Sequence, residues 1–249
     1  MLKKNMDLIY KHINKILFFL TLCINTQSFT QNVKIDTLKL NLENDMGFEV
    51  EKMNFPIIKS NHPEIDSIIN NDIKNRFTYN EFPTLPTQTA LDKWSDGQLV
   101  FLDFDVTYNK NGILSINISS EGCGAYCSSR TEYYNYSTKT GEFLTIYDVI
   151  DTSTQIIDTI SHDKNKQFQS QKNELKNLLI KKELDRDTYD FAIENFEDCE
   201  NNFNYETFYI SEKGLTIIYD CYFPHVIQSL APIIVLKYDF SVLKDLTQK

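Results

Sequence analysis

The sequence predicts an α+β fold in which an antiparallel β-sheet, built from hairpins, carries helices packed on one face. Three observations predict this fold. Several short segments alternate apolar and polar residues and are joined by tight turns, which is typical of β-hairpins. The helical patterns are grouped rather than alternating with single strands. No glycine-rich phosphate loop or strand–helix–strand rhythm occurs, which argues against a nucleotide-binding α/β fold.

The N-terminal part of this fold is expected to contain two strands and a helix. Residues 33–42 and 48–58 form the two predicted strands. A helix is predicted over residues 63–77, because isoleucines recur there at the spacing of one helix face after a capping Asn61. Residues 78–98 contain two prolines, and we expect them to be mostly a loop.

The clearest structural pattern is a β-hairpin over residues 100–119. Apolar side chains alternate there with polar ones such as Asp103 and Asp105, and the turn lies at residues 109–112. Such alternation predicts one buried face and one wet face.

The C-terminal half continues the same pattern of hairpins and grouped helices. The predicted strands are residues 131–137, 143–146, 205–210, 215–223 and 233–240. The predicted helices are residues 167–184 and 187–196 together with a short C-terminal tail.

The first 31 residues predict an export signal. Four lysines precede a run of nine mostly apolar residues, 16–24, and a polar stretch follows. A lasting membrane span needs about 20 apolar residues, so we expect cleavage near residues 28–31. Residues 32–249 would then form a single domain in the periplasm or outside the cell.

Two alternatives to a cleaved signal stay open. The segment would also suit an amphipathic helix at a cytosolic N-terminus. A lipoprotein would carry its lipid on Cys23, but Leu22 stands where a small residue is expected.

Composition indicates a globular, acidic chain. Hydrophobic residues make up 41% and aromatic residues 13% of it, which suits a packed core. Without residues 1–31, the chain has 218 residues, 21 basic and 34 acidic side chains, and a net charge of −13. Such a chain repels nucleic-acid phosphates and anionic lipids. We therefore predict no nucleic-acid partner and no membrane span after cleavage. The charge suits solubility, a cation or a basic protein.

Four cysteines remain after signal removal, and an even number in an exported protein favours disulfides. Three connectivities exist, and the sequence does not choose among them. We favour Cys123–Cys127, which would close a glycine-bearing loop, and Cys199–Cys221, which would tie a polar loop to a core strand.

The Cys123–Cys127 spacing has two alternative interpretations, copper binding through thiolates and redox activity. Copper-delivering thioredoxin-like proteins place a helix after this motif, whereas here Ser128 begins a polar segment that leads into a strand. A structural disulfide is the favoured interpretation, and we predict neither a metal nor a cofactor.

Three histidines remain in the exported chain, and none pairs with a histidine or cysteine at helix-ligand spacing. We expect His62 at a helix cap and His162 in a polar loop. His225 follows a core strand and precedes a loop, which makes it the histidine to test.

Acidic residues form two further groups. Asp103 and Asp105 share the wet face of the hairpin, and Asp148 lies near a strand end. Paired carboxylates perform acid–base chemistry where their environments separate the two pKa values, but a solvated face is the simpler interpretation. The second group consists of Glu194, Glu197, Asp198 and Glu200. It is expected to be a solvated helix end, which would attract a basic protein if it were functional.

Three stretches together resemble the family of domains of unknown function called DUF3298. They are residues 104–116, 135–150 and 208–219, each a strand or hairpin with a turn. With the helix at residues 63–77, the resemblance covers most of residues 48–246. The family includes the extracellular domain of the anti-sigma factor RsiV and the C-terminal domain of PdaC-type peptidoglycan deacetylases.

The resemblance also identifies a candidate functional loop. The family usually has a Gly-Ala-His element after its first hairpin, and this chain has Gly124, Ala125 and Tyr126 at that place, with tyrosine where the histidine would be. These three residues and His225 are the candidate site residues.

The resemblance implies an envelope-facing domain without catalysis, because the deacetylase activity of multidomain relatives resides in another domain. In one anti-sigma relative the domain binds lysozyme. Our leading hypothesis is therefore an exported, non-catalytic domain that binds a protein or a cell-wall ligand. The alternatives are an envelope-acting hydrolase that uses Asp148, Asp103 or His225, and an immunity-type inhibitor of a periplasmic toxin.

Overall fold

The protein is described by a computed structural model, which covers residues 32–41, 44, 47–150 and 154–247. The export segment, including Cys23, lies outside the described residues, so export stays a prediction. Across the described residues, no helix is both long and apolar enough to cross a membrane.

The described residues form eight strands, six α-helices and one 3₁₀ helix. The strands are β1 (Lys34–Lys39), β2 (Asn54–Lys59), β3 (Leu99–Lys110), β4 (Ile113–Cys123), β5 (Cys127–Ser137), β6 (Phe208–Ile210), β7 (Gly214–Asp220) and β8 (Ile233–Asp239). The helices are α1 (Pro63–Phe77), α2 (Thr87–Ser95), α3 (Ile146–Val149), α4 (Thr154–Ile180), α5 (Arg186–Asn201) and α6 (Phe240–Thr247). The 3₁₀ helix is His225–Leu230.

The strands are divided among three antiparallel sheets, which confirms the predicted α+β fold. The first sheet pairs β1 with β2, the second has the order β3-β4-β5, and the third has the order β6-β7-β8. The predicted hairpin turn is present between β3 and β4. Asn111 and Gly112 both have positive φ, as a two-residue turn between twisted antiparallel strands requires.

Two apolar cores support these sheets. The first lies between α1, α2 and the first two sheets, and its largest buried side chains include Phe55, Phe77 and Tyr136. The second lies between the third sheet and helices α4 and α5, with Phe168 and Phe196 buried inside it. Each long helix therefore buries one apolar face against a sheet, and for α1 the periodicity of the sequence predicted this face.

The segment 78–98 is mostly non-helical, as predicted, but nine of its 21 residues form α2, which the sequence did not predict. Pro86 stands immediately before this helix, and Ala90 and Leu91 bury its apolar face. The ammonium group of Lys74 on α1 donates to the carbonyls of Pro83 and Leu85 at 2.8 and 3.0 Å. The prolines indicated a loop, but they only delimit a short helix.

Helix α4 begins 13 residues before its predicted start, so His162 lies on a helix and not in a polar loop. Ile156 and Ile160 are buried at helical spacing. The many polar residues around them concealed this pattern. A smaller correction concerns α1, whose N-cap is His62 and not Asn61. Residues 143–146 form only one isolated bridge, Phe143 with Tyr136, before α3 begins.

Three amide side chains each pair with both backbone groups of one residue. Asn70 bonds Ile58 on β2 at 2.8 and 2.9 Å, and Asn109 bonds Val33 at 3.0 and 2.7 Å. Gln167 on α4 accepts from the N–H of Val235 at 3.0 Å and donates to its C=O at 2.7 Å. Each amide acts as the next strand would, and so covers an exposed strand edge.

Replacing Gln167 tests this form of edge protection. We expect Gln167→Ala to lower the free energy of unfolding by about 1–3 kcal/mol, because both backbone groups of the partly buried Val235 lose their partner. Gln169 lies exposed on the same helix, and Gln169→Ala is the matched control, with an expected change below about 0.5 kcal/mol. Urea unfolding measures both variants. Equal losses would contradict the proposed role of Gln167.

Candidate functional site

The second and third sheets meet through buried polar side chains. The hydroxyl of Ser115 on β4 accepts from the N–H of Ile210 at 3.1 Å, and the amide of Asn135 on β5 donates to the C=O of Phe208 at 2.8 Å. Ser115 and Asn135 face each other in the sheet register and are almost completely buried. The polar face of the hairpin is therefore covered at this end by the edge of β6, and is not wet along its whole length.

A groove opens where β6 ends. Tyr133 on β5 and Tyr209 on β6 stack beside the junction, with ring centroids 5.6 Å apart. Beyond this stack the groove has a volume of about 1060 Å³. It is lined by residues 101, 119–121, 129–133, 204, 206, 207, 218–222, 228, 231, 233 and 235. The hairpin β4–β5 forms one wall, and the end of β7 with the segment before β8 forms the other.

Both predicted disulfides are present and both flank this groove. Cys123 and Cys127 join the ends of β4 and β5 at the tip of one wall, with Cα atoms 4.0 Å apart. Cys199 on α5 is joined to Cys221 in the other wall, with Cα atoms 5.7 Å apart. The favoured connectivity is therefore confirmed.

The candidate loop and His225 lie close together, although 99 residues separate Tyr126 from His225 in the sequence. The rings of Tyr126 and His225 are 5.8 Å apart. Three side chains here are largely exposed: Tyr126 at 73%, Tyr222 at 92% and Val226 at 80%. Gly124 and Ala125 belong to the same tip. The two walls thus touch at an exposed aromatic contact beside the groove.

Carboxylates dominate the charge of the groove. Four acids line it, Glu121, Glu132, Glu206 and Asp220, against one base, Arg130. Arg130 is already paired with Glu132 at 3.0 Å. Partial burial raises the pKa of Asp220. Burial also raises the pKa of Glu132, although a hydrogen bond from Tyr134 and the charge of Arg130 oppose this shift.

Arg130 fixes the position of β5 through three aromatic rings. Its guanidinium carbon lies 4.9 Å from the ring centre of Phe77, 4.8 Å from that of Tyr79 and 4.7 Å from that of Trp94. It also donates to the Phe77 carbonyl at 3.1 Å. These cation–π contacts anchor the groove wall to α1 and α2.

At the hairpin tip lies a cluster of side chains of the kinds that bind metal ions. Ligand atoms of Glu121, Cys123 and Cys127 all lie within 4.8 Å of one another. Both sulfurs are consumed in the disulfide, and a metal needs thiolates. The arrangement therefore offers a metal only the single carboxylate of Glu121.

The remaining sequence candidates have local structural roles. Asp103 accepts from Lys52 at 2.7 Å and from Asn54 at 3.1 Å, and these bonds hold the start of β2 and the residues before it against β3. Asp148 accepts from the N–H and hydroxyl of Thr145 in a capping box, and these bonds lower its pKa. None of the bonds that the structure describes joins Asp103, Asp148 and His225.

Three other predicted residues are placed outside the groove lining. Asp105 is exposed on β3. His62 lies 3.6 Å from Glu64 at the start of α1. His162 is exposed on α4. The acidic group on α5 is exposed at Glu194, Glu197 and Asp198, whereas Glu200 pairs with Lys172 at 2.7 Å.

The four groove acids could not be recognised as a group from the sequence, because more than 70 residues separate the two pairs in the chain. One signal was present. Continuing the alternation of the hairpin places Glu121 on the same polar face as Ser119, Thr131 and Tyr133. The partner wall that carries Asp220 had no comparable pattern.

Removing each disulfide in turn tests its contribution to the groove walls. In the chain-entropy model, the Cys199–Cys221 bond closes the longer loop and contributes about 3 kcal/mol, against about 2 kcal/mol for Cys123–Cys127. We therefore expect Cys199→Ser/Cys221→Ser to destabilise the protein more than Cys123→Ser/Cys127→Ser in urea unfolding without reductant. The reverse order would show that native-state strain or residual structure in the unfolded chain offsets the larger loop entropy of Cys199–Cys221.

Comparison with known proteins shows a likeness at the level of the fold. The sequence matches no protein-family model and no curated protein. The structure resembles a DUF3298 family member from Bacteroides fragilis NCTC 9343, with a TM-score of 0.52 and 12% identity. It also resembles a DUF3298 family protein from Pseudomonas aeruginosa PAO1, with a TM-score of 0.51 and 16% identity. Each alignment covers 86% of this chain and 94% of the other. The chain therefore has the DUF3298 fold, as the sequence resemblance implied.

Proposed function

We propose that the protein is an exported, non-catalytic binding domain that holds a cationic protein ligand in the groove between its second and third sheets. One observation carries the proposal. Four carboxylates line the groove, and the one base among its lining residues is already paired with one of them. A cation entering the groove would meet unpaired negative charge, which favours attraction and fast association.

The form of the groove also suits a protein ligand. Tyr126, Tyr222 and Val226 are exposed beside it and offer large apolar contact areas. Exposed aromatic residues next to a concave surface are typical of interaction sites, where tyrosines often carry much of the binding energy. Two disulfides flank the walls and would keep the groove open in an oxidising compartment.

Charge favours a protein over a cell-wall fragment. Peptide stems of the cell wall carry free carboxylates, and the groove acids Glu121, Glu206 and Asp220 would repel them. A basic protein gains attraction at the same positions. Lysozymes are often basic, and one relative in the resembling family binds lysozyme, so a basic lysozyme is the first ligand to test. A basic periplasmic toxin would satisfy the same chemistry.

A hydrolase is the second candidate, and one observation favours it. Glu132 and Asp220 line the same groove, and partial burial raises the pKa of both. Raised carboxyl pKa values are typical of general acids. Turnover of peptidoglycan fragments that is lost in Glu132→Gln and in Asp220→Asn would support this candidate over the binding domain.

Neutralising the groove acids tests the binding proposal. We expect calorimetric titration with a basic lysozyme at low salt to give saturable binding. The triple variant Glu121→Gln/Glu206→Gln/Asp220→Asn should weaken it at least about tenfold, or about 1.4 kcal/mol. None of these three side chains forms an ion pair among the described residues, so the fold should be retained.

The matched control removes the same charge elsewhere. The variant Glu194→Gln/Glu197→Gln/Asp198→Asn neutralises three exposed acids on α5 and should change the affinity less than about twofold. A larger effect of this control than of the groove variant would place the ligand on α5. No saturable binding of any basic protein would overturn the proposal.

A further inference from the structure

We propose that the groove receives its ligand as an extended basic segment, which pairs with the free edge of β5 as an added β-strand. This inference rests on the proposed function and specifies how the same site binds. The occupant is a stretch of the partner protein with basic side chains, and its backbone supplies the hydrogen bonds that the edge of β5 lacks.

The groove exposes the edge of β5 and not only one of its faces. β5 is the outer strand of the second sheet, and its residues 129–133 all line the groove. Successive side chains of a strand point to opposite faces. Residues from both faces of β5 therefore reach the groove, as they do where the outer edge of a strand is accessible.

The backbone groups at this edge point away from β4. The C=O of Asn135 accepts from Leu144 at 2.7 Å, and the N–H of Ser137 donates to Glu142 at 2.9 Å, both on the side away from β4. Along an antiparallel strand, the N–H and C=O groups of successive residues point alternately toward the paired strand and away from it. The β4–β5 register has no shift, so this alternation continues along β5. Ser129, Thr131 and Tyr133 therefore direct their backbone groups outward as well.

These outward groups have no backbone partner among the described residues. Two other outer strands are each covered at one residue by an amide side chain, because Asn70 pairs with Ile58 on β2 and Gln167 pairs with Val235 on β8. Proteins usually cover or block an exposed edge, since it offers a template for another strand. The edge at residues 129–133 is left open where the groove gives access to it.

Charge identifies the occupant. Strand addition alone does not select a sequence, because the backbone bonds are the same for any peptide. Glu121 and Asp220 line the same groove and carry no ion pair among the described residues. A strand with a basic residue at every second position would direct all its cations to one side, and only the orientation that faces these carboxylates is favourable.

A proline at position 131 tests the inference in the intact protein. Thr131→Pro removes one outward N–H and leaves the β4–β5 ladder complete, since proline is tolerated on an edge strand. Thr131→Val is the control, because it removes the same hydroxyl, which bonds Ser119 at 2.9 Å, but keeps the N–H. The probe is acetyl-Lys-Thr-Lys-Val-Lys-Thr-Lys-amide, labelled for fluorescence anisotropy. We expect Thr131→Pro to weaken its binding at least about tenfold and Thr131→Val less than about twofold.

Methylated probes provide a second test that needs no variant. Two peptides of equal charge carry backbone N-methyl groups on alternate residues, one on the lysines and one on the residues between them. Strand addition predicts that one methylated peptide loses binding and that the other keeps it, because only one set of N–H groups faces β5. If Thr131→Pro does not fold, this test still distinguishes strand addition from binding by charge alone.

The outcomes separate this inference from the proposed function. If both methylated peptides bind like the unmodified probe, charge alone holds the ligand, and strand addition is wrong while the binding function stands. The same holds if a basic protein binds the groove but the extended probe does not. If neither the probe nor any basic protein binds, the proposed function itself fails.

Discussion

The bonds between β6 and the polar face of the second sheet determine how the two halves of the molecule meet. Ser115 and Asn135 are almost completely buried, and each bonds one backbone group of β6. A strand edge buried against apolar side chains would leave N–H and C=O groups unpaired, at about 1–3 kcal/mol each. Polar side chains at these two positions therefore allow the third sheet to lie edge-on against the second.

The groove is a consequence of unequal strand lengths at this junction. β5 has 11 residues and β7 has seven, but β6 between them has only three. The two walls therefore continue after the strand that joins them has ended. Disulfides flank both walls, and Arg130 fixes β5 to α1 and α2, so the groove stands on elements that packing and covalent bonds hold in place.

The sequence predicted the elements better than their assembly. Alternation and turn residues located the hairpins, because these signals are local. The helix α2 was missed, since nine residues with two buried apolar side chains give little periodicity after two prolines. The polar face of β4 was predicted to be wet, yet Ser115 and Asn135 are buried. A polar side chain produces the same alternation in the sequence whether it bonds water or a distant strand. The strand that Asn135 bonds, β6, lies more than 70 residues later in the chain, so no local signal identifies it.

The same limit explains why the disulfides were predictable and the groove acids were not. Four cysteines allow three pairings, and local structure at Cys123–Cys127 favoured one of them. Acidic residues are common on surfaces, so only the fold reveals that Glu121 and Asp220 line one groove. Their position in the groove that reaches the open edge of β5 has a physical consequence of its own. An open edge invites pairing between identical chains, and like charges on two copies oppose that pairing. A basic strand meets no such repulsion, so the same carboxylates that would oppose self-association would admit a cationic partner.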